Sequence, residues 1–172
     1  MSVINDTQFE VELFGVKIFS IISKSIEKYE NDKLFFFKSN TLQNKKKKYV
    51  NLSYDKKKNK FIINGSSYKG EADIDNVIGN WWNSKILEAT SQISPLSGSI
   101  KKQNIDLLKK EKIELYGKNY EVLHFKLKST EENLPDDKKL NFDIWLDPSK
   151  GIIIKVAYER MGKWEYKLKN IE

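Results

Sequence analysis

One histidine, His124, and no cysteine occur in the 172 residues of the chain. A histidine-based metal site would therefore need carboxylates as its other ligands, and neither an HxH nor an HExxH spacing is present. A Ser-His-Asp triad is formally possible, but the GxSxG turn that would hold such a serine is missing. With Val122 and Lys126 as its neighbours on one face of an alternating stretch, His124 is expected to be a structural or surface residue. Glu71, Asp73 and Asp75 recur every second residue without the glycine and later bidentate glutamate that a calcium loop requires. Capping and solubility account for them, so neither a metal nor a cofactor is expected. Asp147 opens an Asp-Pro-Ser-Lys-Gly turn in which its side chain would cap backbone amides. Asn83 and Gln92 are neutral hydrogen-bonding groups that either satisfy orphan backbone near a helix end or orient a ligand.

The aromatic residues are the more suggestive set. Trp81, Trp82, Trp145 and Trp164, with Phe35, Phe36 and Phe37, could line a concave apolar pocket, which is how small-molecule sites are usually built. The plainer reading is that they fill core. A pocket reading selects Phe36, Trp81, Trp82 and Trp145 as walls, with Asn83, Gln92, His124 and Asp147 as its polar groups.

The formal charge of +7 has a local origin. Lys45, Lys46, Lys47, Lys48, Lys56, Lys57, Lys58 and Lys60 stand against Asp55 alone, which accounts for the whole excess. Only one of the 31 basic residues, Arg160, is an arginine, the residue that base readout and phosphate clamping favour. Nucleic acid is therefore an unlikely partner. Solvated lysines guarding hairpin edges are the plain reading, and attraction to an anionic surface is the alternative.

The elements that must position these residues are strands. Phe9, Val11 and Leu13 alternate with Glu10 and Glu12, and Gly15 permits a bend into Val16, Ile18 and Ser20. Further strands are expected at 34–42, where Phe35, Phe36 and Phe37 must face both sides, at 49–54, 61–64, 100–108 without a clear register, 120–128, 142–146, 152–160 and 164–171, the last two joined through Met161-Gly162. Ile74, Val77, Ile78, Trp81 and Trp82 fall instead at helical spacing, with Asp73 as N-cap, and predict one short helix near residues 74–84. The expected fold class is mainly β, or β-rich α+β. It is a curved antiparallel sheet or partly closed barrel of about ten strands with that helix, in one domain over 1–172. No apolar run is long enough for a membrane-spanning helix, and residues 1–8 do not read as a signal peptide.

The order FEVELFGVKI, NG with Tyr68, WWN, SPLSG, FDIWLDPSKGIIIKVAYER and GKWEYKL resembles an uncharacterised bacterial family, the domain of unknown function numbered 6134. Trp82-Asn83, Ser97-Gly98 and Trp145-Leu146-Asp147 match its recurrent positions. The resemblance implies an exported, periplasmic protein with a curved antiparallel sheet like those of lipoprotein carriers, and it implies no mechanism. If Met1 is the native start, the expectation is cytoplasmic instead. Three functions follow in order of preference. The first is a non-catalytic module holding an apolar or amphiphilic ligand between helix and sheet. The second is an assembly protein that binds a protein partner or an anionic membrane surface. The third is a hydrolase or lyase acting on a glycan or lipid.

Overall fold

The structure is a computed structural model, and it describes residues 1–135, 138–159 and 163–169. The expected reversal at Met161-Gly162 and the strand ends at Arg160 and Ile171 lie outside the described residues. The chain is mainly β, with curled, antiparallel strands, and it forms two compact units. One comprises Met1–Ile78 with Ile93–Ile100, the other Gly79–Gln92 with the described part of Lys101–Glu172.

In the first unit, β1 (Ser2–Leu13), β2 (Val16–Glu30), β3 (Lys33–Gln43), β4 (Lys46–Asp55), β5 (Lys60–Gly65) and β6 (Lys69–Asp73) form a meander in chain order. Its hairpins follow from local chemistry. Phe14-Gly15 and Asn31-Asp32 both hold positive φ at the two central positions, as right-twisted two-residue hairpins require. Asp55 Oδ1 accepts from the amides of Lys57 and Lys58 at 2.8 and 3.2 Å and so shapes the longer turn that ends at Asn59. The core packs Phe37, Val50, Leu52, Phe61, Ile63 and Ala72 with Ile78 and Ile93 from the short strands β7 (Val77–Ile78) and β8 (Ser91–Ile93). Residues 93–100 complete this unit. A Cβ on Gly65 would lie 2.5 Å from the Ser97 carbonyl oxygen, so glycine is what lets this loop settle on β5.

The second unit holds β9 (Ile100–Leu115), β10 (Lys118–Ser129), β11 (Asn141–Asp147), β12 (Ile152–Glu159) and β13 (Lys163–Lys167), again neighbours in chain order. Leu115, Val122 and Ile154 form a buried cluster there, with Trp145 packed against it. The segment Gly79–Gln92 precedes these strands.

The helix expected near 74–84 is not formed. Val77 and Ile78 are a two-residue strand, and the helical piece is a single 3-10 turn, Ser84–Leu87. The reason is that the apolar stripe is divided between destinations. Ile78 joins the first unit's core, Ile74 is 40% exposed, and Trp81 packs on Phe142 of β11. Thirteen strands are present among the described residues, more than the ten or so expected, partly because β7 and β8 are too short to show a period.

Candidate functional site

In the first unit the pleat sends alternate residues of β1–β3 to the face that carries Phe37; Phe9, Val11, Phe19 and Ile21 lie there at one end, and between them and Phe37 the face carries a polar band. The registers set Thr7 opposite Ser23, Ser23 opposite Thr41, and Ser25 opposite Ser39. Ser23, Ser39 and Thr41 are buried, and Glu27 is 1% exposed. Buried polar groups persist only when hydrogen-bonded. The Ser23 and Thr41 hydroxyls lie 2.7 Å apart, Ser39 donates to the Pro95 carbonyl at 2.5 Å, and the Tyr29 hydroxyl donates to Glu27 Oε2 at 2.5 Å. Asn5, Thr7, Ser25, Tyr29 and Gln43 extend the band and are half-buried. Val50, Leu52, Phe61 and Ile63 continue the same face on β4 and β5 as apolar surface. The face thus carries a polar band on β1–β3, bounded by apolar residues of β1 and β2 at one end and by the apolar surface of β4 and β5 along its side. Sequence reasoning missed it because Ile22 and Ile26 of β2 alternate in the opposite phase to Ser23, Ser25 and Glu27, and Ile22 is 44% exposed.

The residues expected to wall one pocket are placed in separate roles. Phe36 belongs to the first unit and lies on the opposite face from Phe37, with the Lys28 ammonium 5.5 Å from its ring centre. In the second unit, Trp81 meets Phe142 edge to face at 4.8 Å between centroids, and Phe142 stacks on Tyr158 at 4.6 Å. Trp82 is half-buried in the same segment. Asn83 caps the 3-10 turn, its Oδ1 accepting from the Lys85 amide at 3.0 Å. Gln92 is buried and donates to Gln103 Oε1 at 2.6 Å, while Gln103 Nε2 donates to the carbonyls of Ile86 and Ala89 at 2.9 Å. This pair of glutamines pins the 79–92 segment to β9. A Cβ on Gly79 would come within 1.9 Å of Gln92 Oε1, so the Gln92 side chain is what excludes one there. Asp147 caps its turn, accepting from the Ser149 amide at 2.9 Å and its hydroxyl at 2.6 Å. The Ser149 hydroxyl bond holds the Asp147 carboxyl below the usual range, against the opposing effect of burial.

His124 and Trp145 do come together, stacked at 4.3 Å on neighbouring strands. The imidazole stands between two carboxylates. Nε2 is 2.9 Å from Asp143 Oδ1, and Nδ1 is 3.1 Å from Glu111 Oε1, without the alignment that a hydrogen bond needs. Glu111 also accepts from the Trp145 indole at 2.8 Å, and Asp143 from Lys126 at 2.7 Å. Lys155 lies over the Trp145 ring at 4.5 Å and pairs with Glu165 at 2.6 Å. The bond from Lys109, then that from Trp145, holds Glu111 below its ordinary pKa. Burial pushes Asp143 upward, but the bonds from Lys126 and His124 outweigh it and leave the carboxyl lowered. His124 therefore touches carboxylates and an indole, and its contacts place no nucleophilic hydroxyl against it. Among the described residues no His, Asp and Glu cluster is arranged to hold a metal.

The lysine runs are also separated. Lys45–Lys47 and Lys56–Lys58 sit at opposite ends of β4, ten residues that span about 33 Å. Lys48 turns toward Gln43 and donates to its Oε1 at 2.5 Å, and Lys58 pairs with Glu71 at 2.5 Å. No helix among the described residues is long and apolar enough to cross a membrane.

Residues 1–169 match a family profile described as Domain of unknown function (DUF6134), and the chain belongs to that family. No characterised protein and no solved structure matches it significantly.

Proposed function

We propose that the protein is a non-catalytic binding module that takes an amphiphilic small molecule on the inner face of the β1–β3 strands and their neighbours. One observation carries this reading: a hydroxyl and carboxylate band, Thr7, Ser23, Ser25, Glu27, Ser39 and Thr41, adjoins an apolar band led by Phe37 and Leu52 on the same face. A sheet that only needed a core would carry apolar residues there, because each buried hydroxyl adds little net stability over a well-packed methyl group. A ligand with a polar head and an apolar body matches both halves, with the half-buried Asn5, Thr7, Ser25 and Tyr29 nearest the polar end. Compared with the sequence-based expectation, the sheet face replaces the helix as the binding element. The family resemblance supports a periplasmic address, and fractionation of cells that express the natural gene tests it.

The test is native mass spectrometry of the purified protein, followed by organic extraction and titration with amphiphiles of graded chain length. A bound species is expected, and Ser25→Leu, which fills the polar face at a half-buried position, is expected to abolish it while the protein stays folded. Absence of both a co-purified species and any titratable amphiphile refutes the reading.

A further inference from the structure

The β1–β2 hairpin outruns the sheet it belongs to. β3 first meets β2 at Ile21, so residues 16–20 of β2 pair with β1 alone. These five residues make a two-stranded arm about 16 Å long. At its tip Phe14 holds a left-handed φ of +49°, a conformation that favours asparagine or glycine, and its ring is 97% exposed. At that exposure, little packing among the described residues offsets the strain. Val16 and Ile18, 62% and 39% exposed, continue the apolar surface away from the tip. Glu10 and Lys17 bind one another at 2.6 Å, which leaves Glu12 as the arm's uncompensated charge.

The same end of the sheet carries the β3–β4 turn, level with the base of the arm. The Asn44 amide donates to the Ser20 carbonyl, and the Ser20 amide to Asn44 Oδ1, both at 2.8 Å. Lys45 completes that turn and Lys46 and Lys47 open β4, all three exposed and, among the described residues, without an acidic partner. An apolar tip and three free cations therefore share one end of the first unit.

We propose that this end docks on an anionic phospholipid bilayer, with Phe14 and Val16 entering the interface and Lys45–Lys47 facing the phosphate layer. Interfacial apolar elements enter about 5–10 Å. A 16 Å arm then leaves the lysines roughly 6–11 Å from the surface, comparable to the Debye length of about 8 Å at physiological salt. Either signal alone gives marginal attachment, and an apolar insertion combined with a basic cluster gives stable attachment. A bilayer also accepts a convex tip without a complementary pocket. The proposal is independent of the amphiphile reading, because Phe14 and Lys45–Lys47 lie outside the polar band of the inner face.

The test is co-sedimentation with vesicles of phosphatidylcholine, alone or mixed with phosphatidylglycerol. The protein is expected to pellet with the mixed vesicles and to be released by added salt. Phe14→Asn, whose side chain suits the left-handed turn, is expected to weaken binding at least about tenfold through lost apolar insertion, with an unchanged or higher Tm. Replacing Lys45, Lys46 and Lys47 together with serine is expected to remove the salt dependence. Failure of the protein to pellet, or a Phe14→Asn variant that pellets like the parent, overturns the proposal. So does loss of a protein partner in that variant when vesicles were never bound.

Discussion

Gly79 and Gln92 show how tightly one residue can bind the identity of another. A methyl group on Gly79 has no room while Gln92 Oε1 stands where it stands, and Gln92 is itself held by Gln103. Gly79→Ala is expected to destabilise by about 1–3 kcal/mol, the usual range for overpacking. Gln92→Ala is expected to destabilise by a similar amount, about 1–3 kcal/mol, by stranding a buried Gln103 oxygen. In the double variant the added methyl meets no obstacle, so its stability should equal that of Gln92→Ala alone. Denaturant unfolding of the four proteins as a double-mutant cycle reads this directly, and additive losses would refute it. At this scale the sequence was legible where a residue acts on its immediate neighbours. The cap at Asp147 follows from adjacent residue types. The partner of Gly79 lies thirteen positions away along a segment with no regular period, and composition carries no sign of it.

Among the elements, the β9–β13 sheet carries a charged face that spans all five strands: Lys109 and Glu111, His124 and Lys126, Asp143, Lys155, then Glu165 and Lys167. The carboxyls of Glu111, Asp143 and Glu165 are all lowered by these bonds, the last chiefly by Lys155 and then Lys167. Folded pKa values below the unfolded ones contribute stability that is fully present above the unfolded range, about pH 4, and is lost as pH falls through the folded values. The urea midpoint should therefore hold steady from neutral pH to about 5 and decline below about 4. Asp143→Asn should flatten that decline. An identical acid limb in the variant would show that Asp143 adds nothing to it. Period-two alternation revealed these strands well, because Leu127, Ile144 and Val156 alternate with the charged residues Lys126, Asp143 and Lys155. It failed at β2, where the buried residues, Ser23 and Glu27, are polar, and at 74–84, where residues bound for two different cores imitate the spacing of one helix.

For the whole molecule, the decisive feature is that neither unit is a continuous stretch. Ile93 is fully buried in the first unit's core, and Gly98 lies against Gly65. A fragment ending at residue 78 therefore lacks a core side chain worth about 1.5–3 kcal/mol in burial alone, and also the loop over β5. A fragment 1–78 is expected to show poorly dispersed amide resonances, whereas 1–100 should show dispersed ones for β1–β6. Equal dispersion in the two fragments would mean that residues 93–100 are dispensable to this unit. Length and composition gave no sign of such interleaving, since the crossings fall within β strands and turns of ordinary composition rather than in a linker.

The interleaving also fixes a schedule. Translation proceeds at roughly 5–20 residues per second, so the 22 residues from 79 to 100 take about one to four seconds to appear after Ile78. Throughout that interval β1–β6 are complete as a chain but cannot close their core, and Phe37, Leu52 and Ile63 stand without Ile93. The nascent meander must then survive as an open sheet on the ribosome, at the stage when exposed apolar faces and unpaired edges are most open to capture by other chains or by chaperones.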